Sequence, residues 1–232
     1  MRKSYIFPII ISILISGNVS AFDNKKTHPI ITDEAIDIAE INQYLEDNLN
    51  LANGVETPIN GLKITRWLRD GSKLEDVPNC RASNHFHNPL RDWTASGMRD
   101  EPWFIDWWCS ESEYPPNNIK SAVHWATGYS EPSPDGVKPG TNNQWDWDHS
   151  REYYYIYLTG KDYDGNVVAD TEEQRKRYFA DSFQAVGQVL HVLQDMAVPA
   201  HVRNDFKSHL DFHGITWETL FHSIEKTQGD IT

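Results

Sequence analysis

The feature that most restricts this chain is the segment His191-Val-Leu-Gln-Asp195, followed past Pro199 by His201. It closes a helix-like run from Thr171 to Met196. A His and an Asp four residues apart share one helical face, about one turn from each other. An imidazole nitrogen and a carboxylate oxygen can then meet on one metal ion. Pro199 is expected to end the helix and leave His201 on the turn beyond it. HxxxD alone is weak, because a hydrogen-bonded core histidine and a surface acid at a helix end give the same pattern. The Pro and the second His at this spacing make it more specific.

The helix that carries the segment is well signalled. Thr171-Glu-Glu-Gln174 reads as a capping box, with acids in the first turn. Phe179, Phe183, Val186, Leu190 and Leu193 recur at three and four, a stripe expected to face a core, with His191 and Asp195 beside it. Gly187, one turn before His191, is expected to leave the site uncrowded.

The remaining pattern is helical, and the fold class expected is all-α: a single multi-helix domain with a long Trp-rich loop insertion. Thr32 to Asn50 reads as one amphipathic helix, with Ile31, Ala35, Ile38, Ala39, Ile41 and Leu45 near one face and Asp33 and Glu34 in the first turn. Gly54 to Gly61 reads as a loop, and Leu62 to Leu68 as a short helix ending near Asp70-Gly71. Residues 89–150 hold seven of the nine tryptophans among many Pro, Asn and Ser, and read as the insertion. A short helix is expected near Ile119 to Ala126. Ser150 to Thr159 reads as a helix, although Tyr153 to Leu158 also fits a strand, and Asp164-Gly165 marks a turn. The aromatics either fill a core beneath the loop or face a carbohydrate, a lipid surface or a nucleobase; burial is the commoner fate of large aromatics.

Residues 1–21 read as a signal peptide: Arg2 and Lys3, an apolar run from Tyr5 to Ile15, then Val19-Ser20-Ala21. The run is too short to cross a bilayer. Cleavage after Ala21 makes Phe22 the first residue of a domain over 22–232, in a secreted or periplasmic protein with no transmembrane segment. Cys80 and Cys109 are the only cysteines. They can pair or remain two buried thiols, and export favours the pair. The formal net charge of −13 excludes a general basic surface for polyanions, so stable nucleic-acid binding is not expected. Bound divalent metals would reverse that field inside a cleft only.

Weaker features lead to plainer readings. Asp162-Tyr-Asp-Gly-Asn166 lacks the spacing and closing Glu of a calcium loop and reads as a turn. Asp146, Asp148 and His149 suit helix capping better than ligation. His87 alternates with His85 in an extended segment and need not share its site.

At this point the motifs combine. His191 to His201, HVLQDMAVPAH, resembles the HxxxD…QPxH segment of the zinc-dependent phospholipase C and S1/P1 nuclease superfamily, with Val198 where Gln is usual. His28-Pro-Ile-Ile-Thr-Asp-Glu-Ala is similar to the family's N-terminal segment. Asp70 precedes His85 by fifteen residues, and Asn84-His-Phe-His-Asn-Pro89 resembles HFYDP. The resemblance covers residues 22 to about 90 and 171 to about 205, not the middle. It implies the phospholipase C/P1 nuclease fold and hydrolysis of phosphodiester bonds, in phospholipid or nucleic acid, at a cluster of zinc ions. Carried over, one zinc takes the amine and carbonyl of Phe22 (Trp in the family), with His28 and Asp195. A second takes Asp70, His85, His191 and Asp195, so that Asp195 bridges, and Asp70 is the catalytic group that orients or deprotonates water. A third zinc is less well supported: it would use His201, with partners among His209, His213, Glu218, His222 and Glu225. His222 and Glu225 depart from the family's spacing, and the chain stops at Thr232 without the family's closing helices. Either the sequence is a fragment or the missing acid lies beyond its end. The alternative is a non-catalytic zinc-binding or interaction protein that kept the metal pair.

Overall fold

The structure, a computed structural model, describes residues 25–98, 109, 119–128 and 143–205. It is predominantly helical, in agreement with the class expected. Its α-helices are α1 (Thr27–Ile38), α2 (Ile41–Leu49), α3 (Ile64–Leu74), α4 (Ala122–Thr127), α5 (Trp147–Thr159), α6 (Glu172–Asp195) and α7 (Pro199–Arg203). The strands β1 (Pro58–Ile59) and β2 (Leu62–Lys63) form a small hairpin. Residues 1–21 and Phe22 lie outside the described residues, as do Trp103, Trp107, Trp108 and everything after Asp205.

The crossing of α3 and α6 organises the molecule, with α5 alongside α6 and α1 against α3. Two glycines make the crossing. A Cβ on Gly71 would lie 2.2 Å from the Gln184 carbonyl oxygen, and one on Gly187 2.1 Å from that of Leu68. Both glycines sit inside helices, where Gly costs about 1 kcal/mol relative to Ala; close approach of the two backbones is what requires them. Gly71 therefore does not end its helix, which runs one turn further, to Leu74. Gly187 makes room for α3, not for a ligand.

The same contact explains how α6 is rotated. The capping box at Thr171 and Gln174 is present. The buried face, however, contains Ala185, Gly187, Gln188, His191 and Asp195, whereas Leu193 of the expected stripe is 64% exposed. Val192, in the C-terminal half of α6, packs with Ala122 and Trp125, while the N-terminal half is apolar in the usual way. There Phe179 and Ala180 join Ile36, Leu45, Val55, Ile59, Ile64 and Leu68 in the main core, and Phe179 stacks on Tyr157 of α5 at 4.1 Å. The C-terminal half also buries the polar Gln188, His191 and Asp195.

Three local readings change. The expected helix from Thr32 to Asn50 is two helices. It starts early, at Thr27, with Pro29 in a first turn that has no N–H partners to lose. It breaks at Ala39, whose backbone is extended, and Ile38 is exposed. The loop at Gly54–Gly61 contains a short 3-10 turn (Gly54–Glu56) and the first strand of the hairpin. Asn60 and Gly61 both have positive φ, 48° and 88°, as a two-residue hairpin turn requires. Pro199 opens α7 instead of only ending α6, a position where Pro loses no bond.

The insertion is in part a covering layer. Trp125 of α4 is 1% exposed, while Trp147 at the start of α5 is half exposed. Asp146 caps α5 through the His149 N–H at 2.8 Å, but it is buried, not solvated. Asp162 accepts from the Asn166 N–H in a plain turn. Cys80 and Cys109 are joined in a disulfide across a separation of 29 residues. Among the described residues no helix is long and apolar enough to cross a membrane.

Candidate metal centre

The α3–α6 crossing brings the end of α3 beside the last two turns of α6, and α1 and α7 close the space. His28 comes from the first turn of α1, His191 and Asp195 from α6, and His201 from α7. His85 follows a 3-10 turn, Asn79–Asn84. All five are at most 4% exposed.

Asp195 is the hub. Its Oδ1 lies 3.4 Å from His28 Nε2 and 3.8 Å from His201 Nε2. Its Oδ2 lies 2.8 Å from His85 Nδ1 and 3.3 Å from His191 Nε2. The two carboxylate oxygens thus face different pairs of imidazoles. Asp76, two residues past α3, adds a second carboxylate, 3.5 Å from His85 Nδ1 and 3.6 Å from His191 Nε2. Two groups have ligand atoms all within 4.8 Å of one another: His28, His191 and Asp195, and Asp76, His85 and His191.

Asp70, expected as a ligand and as the catalytic carboxylate, belongs to neither group. Its carboxylate accepts from Arg66 Nε at 2.8 Å, one turn back on α3. The reason is the length of α3: with the helix continuing through Gly71, the acid that reaches the cluster is the one beyond its C-terminal end. His201 faces Asp195, its Nε2 3.8 Å from Oδ1. The other residues expected around a third metal lie outside the described residues, as does Phe22.

Neighbouring groups select which nitrogen each histidine offers. His28 Nδ1 donates to Gln194 Oε1 at 2.8 Å, and Gln194 Nε2 donates in turn to Thr32 Oγ1. His191 Nδ1 donates to the Ser72 carbonyl at 2.6 Å. His201 Nδ1 donates to the His85 carbonyl at 2.9 Å, and its ring stacks on Phe86. These three present Nε2 to the cluster. His85 is reversed: Nδ1 faces the carboxylates, while Nε2 lies 3.3 Å from Glu75 Oε1. The His28 and His191 rings stack at 3.6 Å, so both nitrogens point the same way.

The electrostatics are those of a site built around positive charge. Burial alone would strip the charge from His85, but Asp195, Glu75 and Asp76 outweigh it and push the imidazole up to about 10. Burial works against charge on His191 too, and Asp195 and Asp76 again raise it. Burial would raise Asp195, yet hydrogen bonds from His191, His28 and His85 hold it well below the usual carboxylate range. For His201 burial wins and lowers it, against the pull of Asp195.

These residues fit a divalent metal. His191 Nε2 is buried between two carboxylates, 3.3 Å from Asp195 Oδ2 and 3.6 Å from Asp76 Oδ2, without a well-aligned hydrogen bond to either. A buried nitrogen converging with carboxylate oxygens in this way has the arrangement of a metal-ligand set. Three imidazoles and two carboxylates form a borderline-soft N/O donor set of the kind zinc takes. No family model, no curated protein and no solved structure matches this chain. The site must therefore be read from its own chemistry.

One set of neighbours carried no signal in the sequence. Glu75, Arg81, Asn143 and Gln188 are buried together, with Arg81 donating to Glu75 at 2.7 Å, to Gln188 at 2.9 Å and to Asn143 at 3.0 Å. Three of the four sit outside any regular helical pattern, and Arg81 reaches the fourth, Gln188, across 107 residues of sequence. Gln188, one turn before His191 and on its face, was the readable member.

Proposed function

We propose that this chain is an exported zinc-dependent phosphodiesterase, similar in chemistry to the phospholipase C and S1/P1 nuclease enzymes, with phospholipid the favoured substrate class. The observation that carries the reading is the buried Asp195 carboxylate, one oxygen toward His28 and His201 and the other toward His85 and His191. That arrangement suits a carboxylate shared by two cations. His28 and Asp195 would hold one zinc with the N-terminal group of Phe22, and Asp76, His85, His191 and Asp195 the other. Zinc, when bound, supplies Lewis acidity toward phosphoryl oxygens and offsets their negative charge.

The chain's own groups do the rest. Four buried imidazoles, each steered by a hydrogen bond, keep fixed orientations toward Asp195. Asp76 differs from Asp195 in reaching solvent, with a side chain 23% exposed. It takes the role expected of Asp70: a carboxylate at the mouth of the cluster that orients water and accepts its proton. The formal net charge of −13 disfavours polyanion binding by a general basic surface, which favours a lipid headgroup over nucleic acid.

The test is a panel of a choline phospholipid, a short phosphodiester and single-stranded DNA, with zinc supplied. Release of phosphorylated headgroup that is lost in Asp76→Asn supports the proposal. Nucleotide release selects the nuclease form. Full zinc loading without turnover of any substrate overturns the enzymatic reading and leaves a metal-binding protein.

A further inference from the structure

We infer that Glu75 is a positioning residue that fixes His85 in the reversed orientation, through a buried chain fed by Arg81 and Trp125; this rests on the metal-centre reading above. His85 alone of the four histidines turns Nδ1 to the cluster, and Glu75 is what stands behind it. Glu75 is 1% exposed. Oε1 lies 3.3 Å from His85 Nε2 and accepts from the Trp125 indole N–H at 2.6 Å. Oε2 accepts from Arg81 at 2.7 Å, and the Glu75 carbonyl accepts from Arg81 Nε at 2.8 Å.

Arg81 is itself pinned. Besides Glu75 it reaches Asn143 and Gln188, and its guanidinium lies 4.9 Å over the Trp125 ring. Asn143 in turn donates to the Trp125 carbonyl at 3.0 Å. Rotation of the carboxylate away from His85 would break its ion pair with the buried Arg81 and its 2.6 Å bond from the Trp125 indole N–H. A carboxylate accepting from the far N–H of a ligating histidine sets its tautomer and ring plane and makes the ligand nitrogen a better donor. The chain ties three remote segments to one ligand: the end of α3, the insertion through Trp125 and Asn143, and α6 through Gln188.

The experiment joins ring-nitrogen NMR to zinc affinity. In the zinc-loaded wild-type protein the His85 ring should show a metal-bound Nδ1 and a slowly exchanging Nε2 proton. The other cluster histidines should show the opposite pattern. Glu75→Gln should weaken zinc binding about 10- to 100-fold, the range for loss of such a partner, and Glu75→Asp should recover part of it. Unchanged affinity in folded Glu75→Gln, or a metal-bound His85 Nε2 in the wild type, overturns the inference while leaving the metal centre intact. If Glu75→Gln does not fold, the wild-type ring spectrum decides alone. A wild-type protein that binds no zinc overturns the metal-centre reading instead, and this inference with it.

Discussion

At the residue scale, the same hydrogen bonds that orient the histidines also fix what a metal must displace. His85, pushed up to about 10, is protonated in the metal-free protein at neutral pH. Its raised value adds stability that is complete below the ordinary histidine value and is lost as pH climbs through about 10. The depressed Asp195 adds stability above the ordinary carboxylate value, lost as pH falls through its lowered one. A zinc ion held by His85 would have to expel the Nδ1 proton, so on this reading its affinity should rise with pH by about tenfold per unit for each proton released. Chelator competition between pH 6 and 8 measures this, and a flat profile would count against His85 as a ligand.

A paired substitution separates the two acids of α3 and its end. Asp76→Asn should lower zinc affinity at least tenfold, while Asp70→Asn, which breaks only the bond to Arg66, should leave it unchanged. His191 and Asp195 could be read from spacing because short-range helical geometry places one against the other, whereas His28 and His85 entered only through the family resemblance. Asp76 could not, because it depends on where α3 stops. Glu75 and Arg81 could not, because a buried ion pair has no period.

At the element scale, the two helix-internal glycines decide whether a site exists. In an exposed helix Gly187→Ala would gain about 1 kcal/mol from propensity. Here the new Cβ meets the Leu68 carbonyl at 2.1 Å. Forced separation of α3 and α6 should cost about 1–3 kcal/mol net and weaken metal binding, because His191 would lose the Ser72 carbonyl across the same contact. Thermal unfolding and a zinc titration of the variant check both effects; a stabilised protein with unchanged zinc affinity would contradict the account of the crossing. The helices were readable from caps and periodicity. The hairpin was present as an Asn-Gly pair, but its strands are two residues each, too short for a repeat to show. The break at Ala39 carries no Gly or Pro and is visible only in three dimensions.

For the molecule as a whole, the Cys80–Cys109 bridge ties the segment leading to His85 to the insertion. Its removal by Cys80→Ala with Cys109→Ala should cost roughly 3 kcal/mol, read as a lower unfolding midpoint in denaturant. No change in midpoint would mean that the bridge closes nothing that matters to folding. Helical class followed from sequence because it rests on local patterns, and of the cluster only the His191–Asp195 pair does. The way the insertion closes over the cluster did not, since it depends on Trp125, Asn143 and Arg81 meeting from distant segments.

The central claim is that Asp195 shares its two oxygens between metal ions. Elemental analysis of zinc-equilibrated protein beginning at Phe22 tests it most directly, comparing the wild type with Asp195→Asn and His201→Ala. The account predicts about two zinc ions per wild-type chain, loss of both in Asp195→Asn, and loss of at most one in His201→Ala. A wild-type chain without metal, or Asp195→Asn retaining the full complement, would contradict it and return His191 and Asp195 to a purely structural role.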